Sequence, residues 1–160
     1  MEELQRMAHQ VGADLIEQDK TITAAESLTG GLFQSTLTAV PGISAVFPGG
    51  FVTYSNEAKS VLLGIPAPVI NQFGVVSEEV ALWMARRARE IMRTDIALSF
   101  TGVAGPAELE GNPAGAAWIG LASEQGTAAQ KYRFDGDRDT VRRQCVLTAF
   151  QLVSSELGKH

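Results

Sequence analysis

The residue types in this sequence that could carry chemistry converge on one serine and one lysine. Ser27 lies in "TITAAESLTGG" (Thr21–Gly31), where a strand-like run ends in Glu26 and a threonine and two glycines follow. A serine hydroxyl becomes a nucleophile only when a neighbouring base takes its proton. The histidines are His9, in an amphipathic N-terminal segment, and His160, the last residue, so a Ser-His-Asp arrangement is not available. The other common base for serine is a lysine with a depressed pKa, and "YSNEAK" (Tyr54–Lys59) supplies Lys59. If Ser55 or Asn56 caps the helix that starts there, Lys59 falls in its first turn, facing the positive end of the helix dipole. That field, with some burial, favours the neutral amine that a general base must be. Tyr54 is placed at the preceding strand end to relay the proton or hold the lysine.

The elements that must position these groups can be read from the hydrophobic pattern. Residues 2–19 carry Leu4, Met7, Ala8, Val11 and Leu15 at helical spacing. Residues 21–26 follow as a short buried strand, and 30–39 as a helix stopped by Pro41-Gly42. Residues 50–54 make a second strand. A helix from the Ser55/Asn56 cap runs to about Leu63 and closes at Gly64, and a short helical turn lies between Pro66 and Gly74. Ser77 caps a long helix with Glu78 and Glu79 in its first turn and arginines up to Arg93 towards its end, an order that suits the dipole. Residues 96–100 make the third strand, and the Gly- and Pro-rich loop 101–113 is too long for a simple connection. Strands 115–122 and 127–134 flank "SEQG" and must pair antiparallel across so short a turn. Asp137 caps a final helix over 138–157. Helices separating the first three strands predict a three-layer α/β/α sandwich with a mixed, mainly parallel five-stranded sheet, as one domain over 1–160.

In such sheets ligands gather at the carboxyl ends of the strands. Three segments end there: "AESLTGG", "TYSNEAK" and "TGVAGP". Taken singly, each has an ordinary reading, with Ser27, Thr29 or Ser55 as helix caps, the glycines as turn formers, Lys59 as a solvated helix residue and Tyr54 as core. Their coincidence at one sheet end points to a site. Arg138 and Arg142, near the start of the last helix, could reach a phosphate there or form surface ion pairs. Glu26 could orient the site or bond nearby backbone N–H groups.

Composition narrows the classes. The chain has 160 residues, 45% hydrophobic and 19% charged, with a net charge of -5, which argues against a nucleic-acid surface. One cysteine excludes an intramolecular disulfide and makes a Cys-based zinc site improbable. The acidic, amphipathic start does not resemble a secretory signal and no apolar run is long enough to span a bilayer, so a cytoplasmic protein with no membrane partner is expected.

"TAAESLTGG", "GGFVTYSNEAK", "LLGI", "GVVSEEVA", "TGVAGP" and "GDRDTVRRQ", in this order, resemble the CinA C-terminal domain family over essentially the whole chain. Its single-domain members include nicotinamide mononucleotide amidohydrolases (deamidases, PncC type). The resemblance implies the same fold and a metal- and cofactor-free hydrolysis of the nicotinamide mononucleotide amide to nicotinate mononucleotide and ammonia. Carried over by position, Ser27 is the nucleophile, Lys59 the general base and Tyr54 the assisting hydroxyl. Thr29, Gly30, Gly31, Asn56, Thr101, Gly102 and Gly105 shape the substrate and oxyanion pocket, with donors at the start of the Gly30-Gly31 helix, and Arg142 joins them in binding substrate. A homodimer or larger homo-oligomer is implied, and full-length relatives add a separate N-terminal pyrophosphatase domain. The chain departs from the family at Leu28, where a cysteine is usual, and at "AELEGNPAGAA", where Glu108, Glu110 and Asn112 replace flexible or basic positions. Two carboxylates there would disfavour an anionic substrate. That departure keeps two other readings open: a non-catalytic nucleotide-sensing or partner-binding module, or an amidase for another pyridine or nucleoside.

Overall fold

Five strands form one sheet in a computed structural model that describes residues 2–158. His160 lies outside the described residues. In chain order the elements are α1 (Glu3–Gln18), β1 (Ile22–Glu26), α2 (Leu32–Thr38), β2 (Phe51–Val52), α3 (Asn56–Leu63), α4 (Ala67–Phe73), α5 (Glu78–Met92), β3 (Ile96–Gly102), β4 (Ala116–Ser123), β5 (Gly126–Arg133) and α6 (Arg138–Glu156). The strand order is β2-β1-β3-β4-β5. β1 pairs parallel with β2 and β3, while β4 pairs antiparallel with both β3 and β5. β4 alone runs against the others. The expected three-layer sandwich with a mixed, mainly parallel sheet is therefore the observed architecture.

Each face of the sheet has its own core. Leu15, Phe33, Leu98, Phe100, Ile119 and Phe150 meet on the side of α1, α2 and α6, and the Phe33 ring centroid lies 5.5 Å from that of Phe100 and 4.8 Å from that of Phe150. Leu63, Ile65, Ile70, Val80 and Met84 meet on the side of α3, α4 and α5. β1, buried at all five positions, lies between these layers, which is why "ITAAE" reads as continuously non-charged until its last residue. Cys145 sits in the first core, where burial pushes its thiol up to about 12 and leaves it an inert apolar group.

Several boundaries differ from the sequence reading, for backbone reasons. α2 starts at Leu32 and not at Gly30, because Gly30 (φ 58) and Gly31 (φ 100) are both left-handed and cannot belong to a right-handed helix. β2 is only two residues long, although the Thr53 N–H still donates to the Glu26 carbonyl at 2.8 Å. β3 extends to Gly102 because β4 pairs with it that far. A 3₁₀ turn at Ile43–Ala45 was not anticipated. No described helix is long and apolar enough to cross a membrane.

α5 packs closely on the sheet at Gly120 on β4. A Cβ there would strike Ser99 Oγ and lie 2.9 Å from the Ala81 carbonyl oxygen, to which Ser99 Oγ already donates at 2.7 Å. Neither partner can yield without breaking a buried hydrogen bond. The Gly120→Ala variant is therefore expected to lose about 1–3 kcal/mol of stability in urea denaturation, and an unchanged midpoint would contradict this packing.

Candidate active site

The turn that presents Ser27 is held from beneath by a carboxylate. Glu26, fully buried at the end of β1, accepts from the backbone N–H groups of Phe33 and Gln34 at 3.0 Å each and from Gln34 Nε2 at 2.9 Å. It thereby satisfies donors that the first turn of α2 would otherwise leave unpaired. The Ser27 N–H donates to the Phe100 carbonyl at 3.0 Å, and the Gly30 N–H returns to the Ser27 carbonyl at 3.0 Å. On the far side, Arg142 Nη2 donates to the Thr29 carbonyl at 2.9 Å. Ser27 is thus fixed by backbone contacts on every side except that of its hydroxyl.

That hydroxyl faces Lys59. Ser55 caps α3 by accepting from the Ala58 N–H at 3.0 Å, which places Lys59 one turn into the helix and aims its side chain at the end of β1. The amine is completely buried. Nζ lies 3.0 Å from Ser27 Oγ, 2.7 Å from the Thr53 carbonyl and 3.5 Å from the Ser55 carbonyl. Carbonyl oxygens only accept. A neutral amine has two N–H groups and one lone pair, so if the carbonyls take the hydrogens, the lone pair is left for the serine O–H. Burial lowers the Lys59 pKa to about 8, against a smaller upward pull from the Glu110 carboxylate. The leading cause is desolvation, the burial that the sequence reading joined to the helix dipole.

Ser27 and Lys59 open into a cavity of about 290 Å³. Asn56, Thr101, Gly102 and Gly105 line it, as the sequence reading expected of substrate-shaping residues, and Tyr54 does too. Thr101 Oγ1, however, is occupied in donating to the Val75 carbonyl at 2.6 Å. Thr29, Gly30, Gly31 and Arg142 do not line the cavity and instead form and brace the turn behind Ser27. Thr29 Oγ1 is buried there without a hydrogen-bond partner.

Two expectations need correction. Tyr54 is 58% exposed, and its hydroxyl accepts from Arg138 Nη2 at 2.6 Å and makes no hydrogen bond to Lys59 or Ser27. It is therefore not placed to relay the serine proton, because the two-residue β2 ends before it and leaves it turned towards α6. The donors expected at the start of the Gly30-Gly31 helix are in part engaged, since Glu26 takes the Phe33 and Gln34 N–H groups. Among the described residues, the N–H groups of Leu28, Thr29 and Gly31 are the ones near Ser27 without an internal partner.

Sequence reasoning named Arg138 only as a possible phosphate contact beside Arg142, and missed the parts played by the Thr53 carbonyl and by Glu110. Arg138 lines the cavity, and its Nη1 donates to the Gly105 carbonyl at 2.6 Å. Its position directly after the Asp137 cap was the available signal, but helical spacing alone could not rank it above Arg142. The Thr53 carbonyl carries no side-chain signature at all. Glu110 was read as a hindrance to anions, whereas its carboxylate accepts from the backbone of Val75 and Val76 at 3.1 Å each. Among the described residues, no three His, Cys, Asp or Glu side chains group so as to hold a metal ion.

Comparison with known proteins gives a consistent picture. The family model described as the CinA C-terminal domain matches residues 4–157. A competence-damage inducible protein of Levilactobacillus brevis is 54% identical over 91% of this chain, and one of Streptococcus agalactiae is 51% identical over 96%. The chain spans only 35% and 37% of the lengths of those two relatives. Among solved structures, a CinA superfamily protein from Klebsiella pneumoniae superposes with a TM-score of 0.94 at 31% identity, covering 98% of this chain and 99% of that one. A competence/damage inducible protein from Agrobacterium tumefaciens gives 0.92 at 32% identity, covering 99% and 98%.

Burying Lys59 has a thermodynamic signature. Its folded pKa lies below the unfolded value of 10.5, so below about pH 8 the folded state bears the full cost of the buried charge. That cost fades as pH rises from 8 to 10.5, where the unfolded chain binds more protons than the folded one. Relative to Lys59→Met, which does not titrate, the parent protein should gain about 2–3 kcal/mol between pH 7 and pH 10. Urea denaturation of both proteins across that window checks this, and a constant difference would contradict it.

Proposed function

As the chain belongs to the CinA C-terminal domain family, we propose that it is an amidohydrolase that converts nicotinamide mononucleotide to nicotinate mononucleotide and ammonia by acyl transfer through Ser27 and Lys59. The observation that carries this reading is the 3.0 Å contact between Ser27 Oγ and a completely buried lysine amine. A buried lysine is costly, and a lysine whose proton is loosened by burial beside a serine hydroxyl is a general base in waiting.

In the proposed cycle, Lys59 Nζ takes the Ser27 proton as Oγ attacks the carboxamide carbon. The carbonyl electrons move to oxygen, and the free N–H of Leu28, which lines the cavity beside Ser27, is a donor available to the resulting oxyanion. One such donor contributes about 2.7–4 kcal/mol in other hydrolases. The carbon–nitrogen bond then breaks, with the Lys59 ammonium returning its proton to the departing ammonia. Water attacks the acyl ester while Lys59 takes one of its protons, and the acid leaves as Ser27 recovers its hydrogen. The Thr53 and Ser55 carbonyls hold the amine in place throughout and stabilise its cationic form.

The rest of the cavity suits this substrate. About 290 Å³ is at the small end of pockets for small molecules, a scale that fits the nicotinamide end of a mononucleotide. Arg138 supplies a planar cation on the cavity wall, with the Tyr54 hydroxyl attached, and is assigned to the substrate phosphate. Of the two loop carboxylates, Glu110 is turned to backbone N–H groups, and Glu108 is exposed and does not line the cavity.

Three outcomes are expected. Ser27→Ala abolishes ammonia release while leaving nicotinamide mononucleotide affinity within about threefold by calorimetry, and substantial turnover by that variant would remove Ser27 as nucleophile. In the parent protein kcat/KM rises with pH and is half-maximal near pH 8, where Lys59 loses its proton; a rate independent of pH from 6 to 10 would contradict the base assignment. Arg138→Ala raises KM for the nucleotide by about tenfold or more but leaves the KM for the phosphate-free nucleoside nearly unchanged, as loss of a charge-assisted contact implies. Equal effects on both substrates would move the phosphate elsewhere.

A further inference from the structure

The loop between β3 and β4 is anchored in a way that the proposed cycle does not use. Its two ends are pinned by the Val103 N–H on the Ala116 carbonyl and the Gly115 N–H on the Val103 carbonyl, both at 2.8 Å. Its tip is a two-residue hairpin: Leu109 and Asn112 exchange backbone hydrogen bonds of 3.0 and 2.8 Å around Glu110 and Gly111. Both central residues have positive φ, 54 for Glu110 and 79 for Gly111. Turns of that kind favour asparagine, aspartate or glycine at the first central position, and a glutamate there is conformationally unfavourable.

The side chain offsets that strain. The Glu110 carboxylate reaches across to the turn between α4 and α5, where Oε2 accepts from the Val75 N–H and Oε1 from the Val76 N–H, both at 3.1 Å. It packs over Gly74 so closely that a Cβ on that residue would lie 3.0 Å from Oε1. A shorter aspartate or asparagine, better suited to the turn, would not span this gap as well. Meanwhile Ala107 and Leu109 on the loop and Val75 on the receiving turn all line the cavity that holds Ser27 and Lys59. The Val75 carbonyl is in turn fixed by Thr101 Oγ1.

We infer that Glu110 is a positioning residue: by clasping the loop tip to the backbone of Val75 and Val76, it holds residues 107–109 as a wall of the Ser27–Lys59 cavity. This inference builds on the amidohydrolase reading. Two consequences follow from the geometry. The first is mechanical, since the clasp sets the width of the cavity and so the affinity for substrate more than the chemical step. The second is electrostatic. The other titratable side chains lining the cavity, Tyr54 and Arg138, are hydrogen-bonded to each other, whereas the Glu110 carboxylate acts on Lys59 and favours its charged form. Removing the carboxylate moves the Lys59 titration to lower pH.

Glu110→Gln keeps the size of the side chain but leaves one oxygen to serve two N–H groups, and it removes the charge. In the substrate-free protein, amide hydrogen exchange of residues 74–77 and 103–115 should accelerate at least tenfold with the rest of the chain unchanged. The Lys59 midpoint, read by competitive labelling with acetic anhydride, should fall by several tenths of a pH unit. Glu110→Asp, which retains the charge but not the reach, should keep exchange fast while returning the midpoint part of the way to that of the parent. With nicotinamide mononucleotide, Glu110→Gln should raise KM about tenfold while kcat on its high-pH plateau stays within twofold. Exchange and midpoint in Glu110→Gln equal to those of the parent, or exchange in Glu110→Asp as slow as in the parent, would overturn the inference. Both of those readouts are taken without substrate, so they decide it even if the parent protein releases no ammonia, a result that would count against the amidohydrolase reading alone.

Discussion

A lysine amine with no contact to solvent, set between two backbone carbonyls and one serine hydroxyl, is the constraint around which this end of the sheet is arranged. An ion in that position is disfavoured by its loss of hydration. The protein tolerates it because the carbonyls accept from the amine in either protonation state. The serine is the one partner that can change roles, accepting from the ammonium and donating to the amine. That asymmetry is what makes the pair reactive and not merely a buried hydrogen bond.

The fold supplies the convergence. β1 and β2 run parallel, so the residues after their carboxyl ends emerge side by side: Ser27 after one, Thr53 to Ser55 after the other. β3, parallel on the opposite side, brings Thr101 and Gly102 to the same end. Glu26 prevents the serine turn from relaxing into the helix behind it, and Arg142 holds the Thr29 carbonyl from the far side. The same buried carboxylate uses up the helix-terminal donors that would otherwise be the obvious place for an anion. The donors left over are those of the turn itself.

Much of this was legible in the sequence, and what was not has physical causes. The layered architecture followed from helices alternating with short apolar strands, and the caps at Ser55, Ser77 and Asp137 fell where hydroxyl and carboxylate types placed them. The Ser27–Lys59 pairing was legible because few other bases exist in the chain. The sense of Tyr54 and Arg142 was not, because it depends on where a two-residue strand stops and on which face of α6 meets the serine turn. Glu110 was misread because composition shows a charge but not its partner. A carboxylate in a loop reads as a bare charge until two backbone N–H groups are found against it.

The protonation of one amine underlies all of these relations, and it can be observed without substrate. With lysine labelled at nitrogen, the Nζ resonance of Lys59 can be followed by NMR from pH 6 to 11 in the folded protein. A midpoint near 8 is the result this account predicts, with the neutral form predominating above it. A midpoint at the ordinary lysine value of 10.5 would mean that the amine stays charged at the serine, and the account of Lys59 as the base would be contradicted.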